Sequence, residues 1–369
     1  MPFKCLQAGV EIYAFDIQSN VEWQALRRQN AQTRNLKLPC CGSPVMLRTS
    51  ILGTRHFVHA RRNGCARPAE TPIHLLAKEK IVAGIRRAGW TVRVEEEIAS
   101  NGEAWIPDVL ALQEGERTHA FEVQWSWQSQ ETTRLRHARY QAANIPAFWF
   151  FRHYEFQTGP LMPAFRLDFN KATNELAVLI PSHVNDPAKD RRKSKFSPYW
   201  RQSVELSAFV AGALTGRLQF APALDRKFDV EVNAAPTGCS ACGRRIQILA
   251  SLRFAIHKEL PDFSDLSVPI YNLPGGPKTA ELLSLMVPHA VLARYDIGKV
   301  VSGAQCLGLL NTCVHCNEPL PNSEALRLIN MAQPILRCSG FLNLDWASRM
   351  DSSDIFRWWF DDRPSSKIL

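Results

Sequence analysis

The periodicity of apolar side chains between residues 71 and 151 constrains the fold more than any other feature of this sequence. Apolar residues first recur at spacings of three and four, which is typical of a helix, and Gly89 supplies its end. Short segments that alternate apolar and polar residues follow, as in strands. The predicted elements are a helix at 71–88, strands at 90–97, 104–112 and 119–125, a helix at 130–143 and a strand at 147–151. The sequence therefore predicts an α/β core with the order α-β-β-β-α-β.

Length and composition place this core within a larger folded protein. The chain has 369 residues, a net charge of +9 and 46% hydrophobic residues, which excludes a wholly disordered or fibrous chain. At roughly 100–200 residues per domain, two or three domains are expected. The expected segments are a small β-rich module at 1–66, the core domain at 67–184, a basic linker at 185–198 and a mixed C-terminal domain at 199–369.

The location of the protein is predicted from two patterns that the sequence lacks. The first residues show no basic segment followed by an apolar stretch and a cleavage site. No apolar run approaches the roughly 18 residues that a membrane span needs. We therefore expect a cytoplasmic protein with no membrane partner, and the excess of positive charge favours a polyanion as partner.

Asp108 and Glu122 are the strongest chemical signal. They lie on either side of a predicted hairpin turn at 113–116, and Glu122 shares its strand face with Gln124. If the turn pairs the two strands, both carboxylates lie close together among apolar side chains, which is costly unless a cation neutralises them. The pair therefore predicts a Mg²⁺ site suited to phosphodiester hydrolysis. The alternative is a pair of solvated acids on the outer face of a sheet.

Short motifs in a fixed order connect these carboxylates to a known family. In chain order they are Cys40 to Gly42, His56-Phe57-Val58-His59, Glu70, His74 and Lys78, Pro107-Asp108-Val109, Glu122-Val123-Gln124 with Ser126, and Tyr140 before Phe148-Trp149-Phe150. This pattern, over residues 38–153, resembles the PD-(D/E)XK nuclease superfamily and more specifically the competence protein CoiA-like family. The resemblance implies a restriction-endonuclease-like core and metal-dependent DNA cleavage associated with DNA processing.

The resemblance also implies roles for individual residues. Asp108 and Glu122, with the backbone carbonyl of Val123, would hold Mg²⁺ or Mn²⁺, and Glu70 could complete the ligand shell. Gln124 stands where the superfamily usually has a lysine. It could orient the attacking water, but it adds no positive charge to stabilise the transition state.

The first helix offers a replacement for that charge. Glu70, His74 and Lys78 are each four residues apart and lie along one stripe. His74 or Lys78 could supply the cationic or basic function. The alternative is an ordinary solvated helix face.

The second predicted helix carries candidates for DNA contact. Arg134, Arg136 and Arg139, with Tyr140, could contact phosphates, although they could equally form a solvated helix face. Trp125 and Trp127 follow the Glu122 strand, where exposed rings could stack on unpaired bases, whereas burial against a helix is the commoner outcome for tryptophan.

Two CxxC pairs predict a structural zinc site in the C-terminal domain. Cys239, Cys242, Cys313 and Cys316 supply the four thiolates of a tetrahedral site, and the long gap between the pairs requires an inserted subdomain. The alternative is isolated buried thiols.

A second zinc site is conceivable near the N-terminus. The candidate ligands are Cys40, Cys41, His56, His59 and Cys65. Adjacent cysteines depart from the usual CxxC spacing, and the alternative is core thiols with histidines hydrogen-bonded nearby.

The leading hypothesis is a cytoplasmic Mg²⁺-dependent deoxyribonuclease whose zinc-bearing C-terminal domain binds nucleic acid or a protein partner. One alternative is a DNA-binding module of nuclease descent without catalytic activity. Another is a zinc-organised adaptor whose C-terminal half recruits a protein partner.

Overall fold

The computed structural model describes residues 2–60, 65, 70–100, 102–113, 116–153, 156, 158–181, 200–221, 227–258, 265–273, 277–302, 308–342 and 357–361. The predicted basic linker at 185–198 lies outside them. The chain divides into two units: Met1–Gln219 with Trp358–Leu369, and Phe220–Arg357. None of the described helices is long and apolar enough to cross a membrane.

The first unit begins with the expected β-rich module. Its elements are β1 (Lys4–Gln7), β2 (Val10–Tyr13), α1 (Asn20–Thr33), β3 (Leu36–Lys37), β4 (Val45–Thr49) and β5 (Arg55–His59). The strands form a three-stranded antiparallel sheet in the order β2-β1-β3 and a β4-β5 hairpin. Our sequence reading did not predict α1, because the helix is mostly polar and only its Trp23 and Asn30 are buried.

The central segment has five strands between its two helices rather than the three that were predicted. It contains α2 (Pro72–Arg87), β6 (Thr91–Val94), β7 (Ile98–Ser100), β8 (Glu103–Trp105), β9 (Val109–Gln113), β10 (Glu116–Gln124), α3 (Gln130–Ala142) and β11 (Ala147–Phe151). The difference arises because a separate β7-β8 hairpin lies between the sheet strands β6 and β9. Thr71 caps α2 by accepting a hydrogen bond from the N–H of His74, and Gly89 follows its end with a φ of 80°.

One predicted strand is divided in the structure. The segment 104–112 was expected to be continuous, but β8 ends at Trp105 and β9 begins at Val109, and Pro107 lies between them. Proline has no N–H for a strand ladder and disfavours regular pairing. β8 pairs with β7, whereas β9 pairs with β6 and β10. The break leaves Asp108 immediately before β9.

The core of the first unit is a mixed seven-stranded sheet. It adds β12 (Ala164–Asn170), β13 (Glu175–Pro181) and β14 (Trp200–Glu205), and its order is β14-β13-β12-β11-β10-β9-β6. β10, β11 and β12 are parallel and the other pairs are antiparallel. All five residues of β11 are buried, as expected for a strand covered on both faces.

Helix α4 (Leu206–Leu214) packs on α2 in the first unit. A Cβ atom added to Gly84 of α2 would lie 2.6 Å from the carbonyl oxygen of Ser207 and 2.7 Å from Cβ of Val210. The two helices therefore approach closely at this glycine. The sequence predicts a C-terminal domain that starts at 199, whereas α4 and β14 belong to the first unit.

The second unit is built on a four-stranded antiparallel sheet. Its elements are β16 (Lys227–Gly238), β17 (Arg245–Phe254), β18 (Leu266–Pro269), α5 (Pro277–Met286), α6 (His289–Leu292), β19 (Val300–Ser302), β20 (Leu309–Asn311), α7 (Asn322–Leu328) and β21 (Gln333–Phe341). The chain enters this unit through β15 (Leu218–Ala221), and β22 (Arg357–Phe360), which pairs with β15, lies mostly in the first unit. The sheet order is β18-β17-β16-β21. The unit thus mixes helices and strands, as expected.

Candidate active site and metal centres

The predicted hairpin places Asp108 next to Glu122. β9 and β10 pair antiparallel, with Val109 opposite Phe121, so the residue before Val109 neighbours the residue after Phe121. Oδ2 of Asp108 accepts a hydrogen bond from the N–H of Val123 at 2.9 Å. This backbone contact holds the Asp108 carboxylate at the end of the β10 strand.

His74 of α2 and Glu70, which precedes the helix cap Thr71, bring two further ligand-type side chains to Asp108. Nε2 of His74 lies 3.2 Å from Oδ1 of Asp108 and 4.0 Å from Oε1 of Glu70. One ligand atom of each of these three residues lies within 4.8 Å of the other two. The predicted stripe of Glu70 and His74 therefore faces the carboxylate site rather than open solvent.

Lys78 lies behind the site. Its side chain is fully buried, and its ammonium group donates to Oε1 of Glu70 at 3.0 Å and to Oε1 of Glu95 at 2.7 Å. The same Glu95 oxygen accepts the N–H of Phe3 at 3.0 Å. A fully buried ammonium between two carboxylate partners offsets one of their two negative charges and orients both groups. This contact set differs from the cationic catalytic role that we considered for Lys78.

Glu95 was missed in the sequence analysis. It follows β6 with a left-handed φ of 53°, which turns its side chain back toward Lys78. One signal was available: Lys78 lies among the buried residues of α2, and a buried ammonium requires a carboxylate partner. The sequence did not show which acid supplies it.

Glu122 is 3% exposed and is bound by two side chains of α3. Its Oε2 accepts a hydrogen bond from Arg136 at 2.8 Å, and its Oε1 accepts one from the hydroxyl of Tyr140. Arg136 also donates to Oε1 of Gln124 at 3.2 Å and to Oε1 of Gln128 at 3.0 Å. The guanidinium therefore contacts both polar side chains of the Glu-X-Gln motif.

This arrangement changes the expected position of two DNA-contact candidates. Tyr140 is only 1% exposed, and its ring packs edge-on against Trp149, so it lies inside the site rather than on an open phosphate-binding surface. Arg136 lies 5.0 Å above the Trp149 ring. Both residues face inward because α3 packs this side of the helix against the sheet.

The remaining candidates for DNA contact lie on the surface. Arg139 forms an exposed ion pair with Glu103 at 2.9 Å, and Arg134 is exposed. Trp127 is 70% exposed, whereas Trp125 is partly buried with the guanidinium of Arg152 5.4 Å from its ring. Of the two tryptophans, Trp127 presents the more open ring.

The two central carboxylates have different proton affinities. Burial alone would raise the pKa of Asp108, but the charges of His74 and Lys78 and the N–H of Val123 hold it well below its usual range. Burial raises the pKa of Glu122 to about 7, and the charge of Asp108 acts in the same direction against that of Arg136. The fold thus keeps Asp108 ionised and brings the titration of Glu122 close to neutral pH.

The second unit brings the four predicted zinc-ligand cysteines together. Sγ of Cys239 lies 3.7 Å from Sγ of Cys316, and Sγ of Cys242 lies 3.7 Å from Sγ of Cys313. One ligand atom from each residue lies within 4.8 Å of all the others. A tetrahedron of sulfurs about 2.3 Å from zinc has edges of about 3.8 Å, so the spacing fits a zinc ion.

Both CxxC segments have the same backbone turn. The N–H of Cys239 donates to the carbonyl of Arg244, and the N–H of Gly243 donates to the carbonyl of Cys239. At the same spacing, the N–H of Cys313 donates to the carbonyl of Glu318, and the N–H of Asn317 donates to the carbonyl of Cys313. The fifth residue of each turn has a left-handed φ, 73° at Gly243 and 60° at Asn317. We call this six-residue turn a knuckle.

Near the N-terminus, four of the five candidate ligands cluster. Cys40, Cys41, His59 and Cys65 offer ligand atoms within 4.8 Å of one another. His56 is not a member of this group. It is 3% exposed, and its Nδ1 lies 3.1 Å from the carbonyl oxygen of Thr54. Its side chain points into the interior because β5 alternates its faces.

Comparison with protein families identifies the segment that carries the carboxylates. Residues 70–176 match the family model described as competence protein CoiA, nuclease-like domain. Over this segment the chain is similar to the nuclease-like domain of the competence protein CoiA family. Neither the curated proteins nor the solved structures gave a match. The CoiA nuclease-like domain starts at Glu70 and includes Asp108, Glu122 and Arg136, whereas both cysteine clusters lie outside it.

Proposed function

We propose that the protein is a metal-dependent DNA nuclease that hydrolyses phosphodiester bonds. The observation that carries the proposal is the hydrogen bond from the N–H of Val123 to Asp108, which fixes this carboxylate beside Glu122 within a nuclease-like domain. If the separate β7-β8 hairpin is set aside, the elements of the main sheet and its helices follow the order α-β-β-β-α-β around the two residues, which supports a restriction-endonuclease-like core. DNA is the proposed substrate and partner.

The side chains around Asp108 fit a divalent cation. Asp108, Glu70 and His74 have ligand atoms within 4.8 Å of one another, and Glu122, which is outside that group, neighbours Asp108 across the β9-β10 pair. Carboxylate oxygens suit Mg²⁺, and an imidazole in the set is also compatible with Mn²⁺. Such an ion, when bound, lowers the pKa of a coordinated water and neutralises charge on the phosphate. Asp108, Glu122 and Glu70, with His74 and the carbonyl of Val123, are the proposed ligands.

Arg136 supplies the positive charge that Gln124 lacks. Its guanidinium lies within hydrogen-bonding distance of both Glu122 and Gln124, which places a permanent cation beside the motif. Charge fixed where the transition state becomes more negative is a large contribution to catalysis. Gln124 donates its amide to the carbonyl of Ser126 at 2.8 Å, so Arg136 and Ser126 together hold its side chain. Gln124 is proposed to orient the attacking water.

Other residues of the domain hold these groups in place. Lys78 binds Glu70 and Glu95 at once, which fixes Glu70 on the side of the site formed by α2. Arg134 and Arg139, with the open ring of Trp127, are the proposed contacts to phosphates and bases of DNA. The domain thus has an inner catalytic group and an outer binding surface.

In the second unit, Cys239, Cys242, Cys313 and Cys316 are proposed to bind a structural zinc ion. The two knuckles present four thiols at tetrahedral spacing, which is the closed ligand set of structural sites. A protein partner or nucleic acid is proposed to bind this unit.

One observation favours a second candidate, a DNA-binding module without catalysis. Both oxygens of Glu122 already accept hydrogen bonds from α3, one from Arg136 and one from Tyr140. A carboxylate satisfied in this way can be retained for the stability of the domain alone. The two candidates differ in whether bound DNA is cleaved.

The test is an assay of the purified chain on linear, circular and single-stranded DNA with Mg²⁺, Mn²⁺ or EDTA. We expect cleavage that needs the metal and is lost in both Asp108→Ala and Glu122→Ala, while the control Asp168→Ala retains it. Asp168 lies on β12 and shares the sheet but not the site. DNA binding without cleavage in the wild type would favour the silent module, and neither activity would favour the adaptor.

A further inference from the structure

The loop of residues 38–43 has the backbone of a knuckle. The N–H of Leu38 donates to the carbonyl of Ser43 at 2.9 Å, and the N–H of Gly42 donates to the carbonyl of Leu38 at 2.8 Å. Gly42, the fifth residue, has a left-handed φ of 64°. The residues that flank the loop, Lys37 and Pro44, form a bridge. Each of these features recurs at the same spacing in both CxxC knuckles of the second unit.

The residues that flank the N-terminal loop also match those that flank the two CxxC knuckles. In the second unit, the flanking pairs are Gly238 with Arg245 and Thr312 with Pro319, each one residue before and one residue after the knuckle. Lys37 and Pro44 hold the same two positions around the N-terminal loop. Three segments of this chain therefore adopt one turn, and two of them carry a CxxC pair.

The N-terminal loop differs in which positions carry thiols. The knuckles of the second unit have cysteine at their first and fourth positions, and Cys41 is the fourth residue of this loop. The first position is Leu38, which is fully buried and packs into the interior. Cys40, at the third position, lies 3.7 Å from the sulfur of Cys41. The adjacent cysteines thus supply two ligands although the first position is a core residue.

Two further side chains complete a tetrahedral set. Sγ of Cys65 lies 3.8 Å from Sγ of Cys40, and Nε2 of His59 lies 3.4 Å from Sγ of Cys41. For zinc bound at about 2.3 Å to sulfur and about 2.0–2.1 Å to nitrogen, the expected edges are about 3.8 Å between sulfurs and about 3.5 Å between sulfur and nitrogen. The observed separations agree with both values.

We propose that Cys40, Cys41, His59 and Cys65 bind a second zinc ion on a knuckle whose first ligand has moved from position 38 to position 40. The site is structural, because its four protein ligands leave no open coordination position. Cys65 stands five residues before Glu70, so the ion would join the start of the nuclease-like domain to the β4-β5 hairpin. The proposal does not depend on the nuclease function.

Metal content of the full-length protein tests this site. Zinc is measured by elemental analysis and by native mass spectrometry in the wild type and in Cys41→Ser, with Cys338→Ser as the matched control. Cys338 is a partly buried thiol of β21 that belongs to neither cluster. We expect two zinc ions in the wild type and the control and one in Cys41→Ser. An equal zinc content in Cys41→Ser and in the wild type would overturn the proposal.

Two further variants keep the test informative if Cys41→Ser folds poorly. In Cys242→Ser/Cys316→Ser, which removes two ligands of the other cluster, we expect one retained ion, and its absence would contradict the N-terminal site. His59→Cys should keep two ions and, after cobalt substitution, show stronger sulfur-to-metal charge-transfer absorption, because a fourth thiolate joins that site. Unchanged absorption would show that residue 59 is not a ligand.

Discussion

The guanidinium of Arg136 lies 2.8 Å from the carboxylate of Glu122 and also contacts Gln124, two residues further along β10. A cation from α3, the helix after the strand, therefore stands beside the uncharged side chain of Gln124. This relationship makes the arginine, rather than Lys78, the candidate for the missing charge.

Removing the charge at residue 136 and restoring a charge at residue 124 tests whether Arg136 supplies the catalytic cation. Arg136→Gln should lower the rate of DNA cleavage by about 10²–10³-fold, in kcat more than in KM, because the charge acts on the transition state. The double variant Arg136→Gln/Gln124→Lys should recover most of that loss. Arg139→Gln, which removes a proposed DNA contact outside the carboxylate site, serves as control and should raise KM but leave kcat unchanged. No recovery in a folded double variant would contradict the assignment.

Replacement of the buried Lys78 is expected to lower the stability of the protein and not only to affect its chemistry. Lys78→Met leaves Glu70 and Glu95 without their buried counter-charge and should reduce the free energy of unfolding by about 3–5 kcal/mol. Lys80→Met, on the same helix but partly exposed, should change it by less than about 0.5 kcal/mol. Urea denaturation measures both values. Equal effects of the two substitutions would argue against a buried charge network.

Replacement of Gly84 by alanine is expected to change stability in the direction opposite to that given by helix propensity. In an exposed helix, Gly→Ala stabilises by about 1 kcal/mol. Here the added Cβ would meet the carbonyl oxygen of Ser207 at 2.6 Å, so Gly84→Ala should destabilise by about 1–3 kcal/mol. The reverse change at its exposed neighbour, Ala83→Gly, should cost about 1 kcal/mol through propensity alone. Stabilisation by Gly84→Ala would mean that α2 and α4 do not approach this closely.

The buried side chain of His137 is expected to make the stability of the protein depend on pH. Its Nδ1 accepts the indole N–H of Trp149 at 3.1 Å, and its Nε2 lies 2.7 Å from the carbonyl oxygen of Leu161. Burial lowers the pKa of His137 from its ordinary value of 6.5. Between the lowered pKa of His137 in the folded protein and its ordinary pKa in the unfolded chain, the unfolded chain binds more protons. The contribution of neutral His137 to stability is therefore complete above about pH 6.5 and is lost as the pH falls.

The measurement compares wild type with His137→Gln from pH 8 to pH 5. The wild type should lose more unfolding free energy on acidification than the variant. Comparing the two proteins removes the effect of Glu122, whose raised pKa gives a dependence of opposite sign. His289→Gln, an exposed control, should follow the wild type. Identical slopes for wild type and His137→Gln would refute this role.

Much of the fold could be predicted because local patterns carry it. The period of apolar residues predicts α2, β10, α3 and β11, and the turn between β9 and β10 predicts that Asp108 lies near Glu122. The CxxC spacing predicts that four cysteines of the second unit meet. Each of these inferences depends on residues close in sequence or on a ligand geometry known in advance.

Other parts depend on contacts that no local pattern encodes. The pairing of Lys78 with Glu95 requires a left-handed residue after β6, and the inward direction of Arg136 and Tyr140 depends on how α3 packs on the sheet. Helix α1 was missed because its polar composition gives almost no apolar periodicity. The knuckle at the N-terminal loop has Leu38 where a CxxC pair has its first cysteine, so it is recognised from its backbone hydrogen bonds and not from the sequence.

The most direct test of the central claim measures cleavage and binding of the same DNA by Asp108→Asn. This change retains the size of the side chain but removes the charge that the fold keeps ionised beside Glu122. The account predicts that metal-dependent cleavage falls at least about 10³-fold while the affinity for DNA and the melting temperature stay close to those of Asp168→Asn. Cleavage by Asp108→Asn at the wild-type rate would contradict the assignment of this site as the catalytic centre.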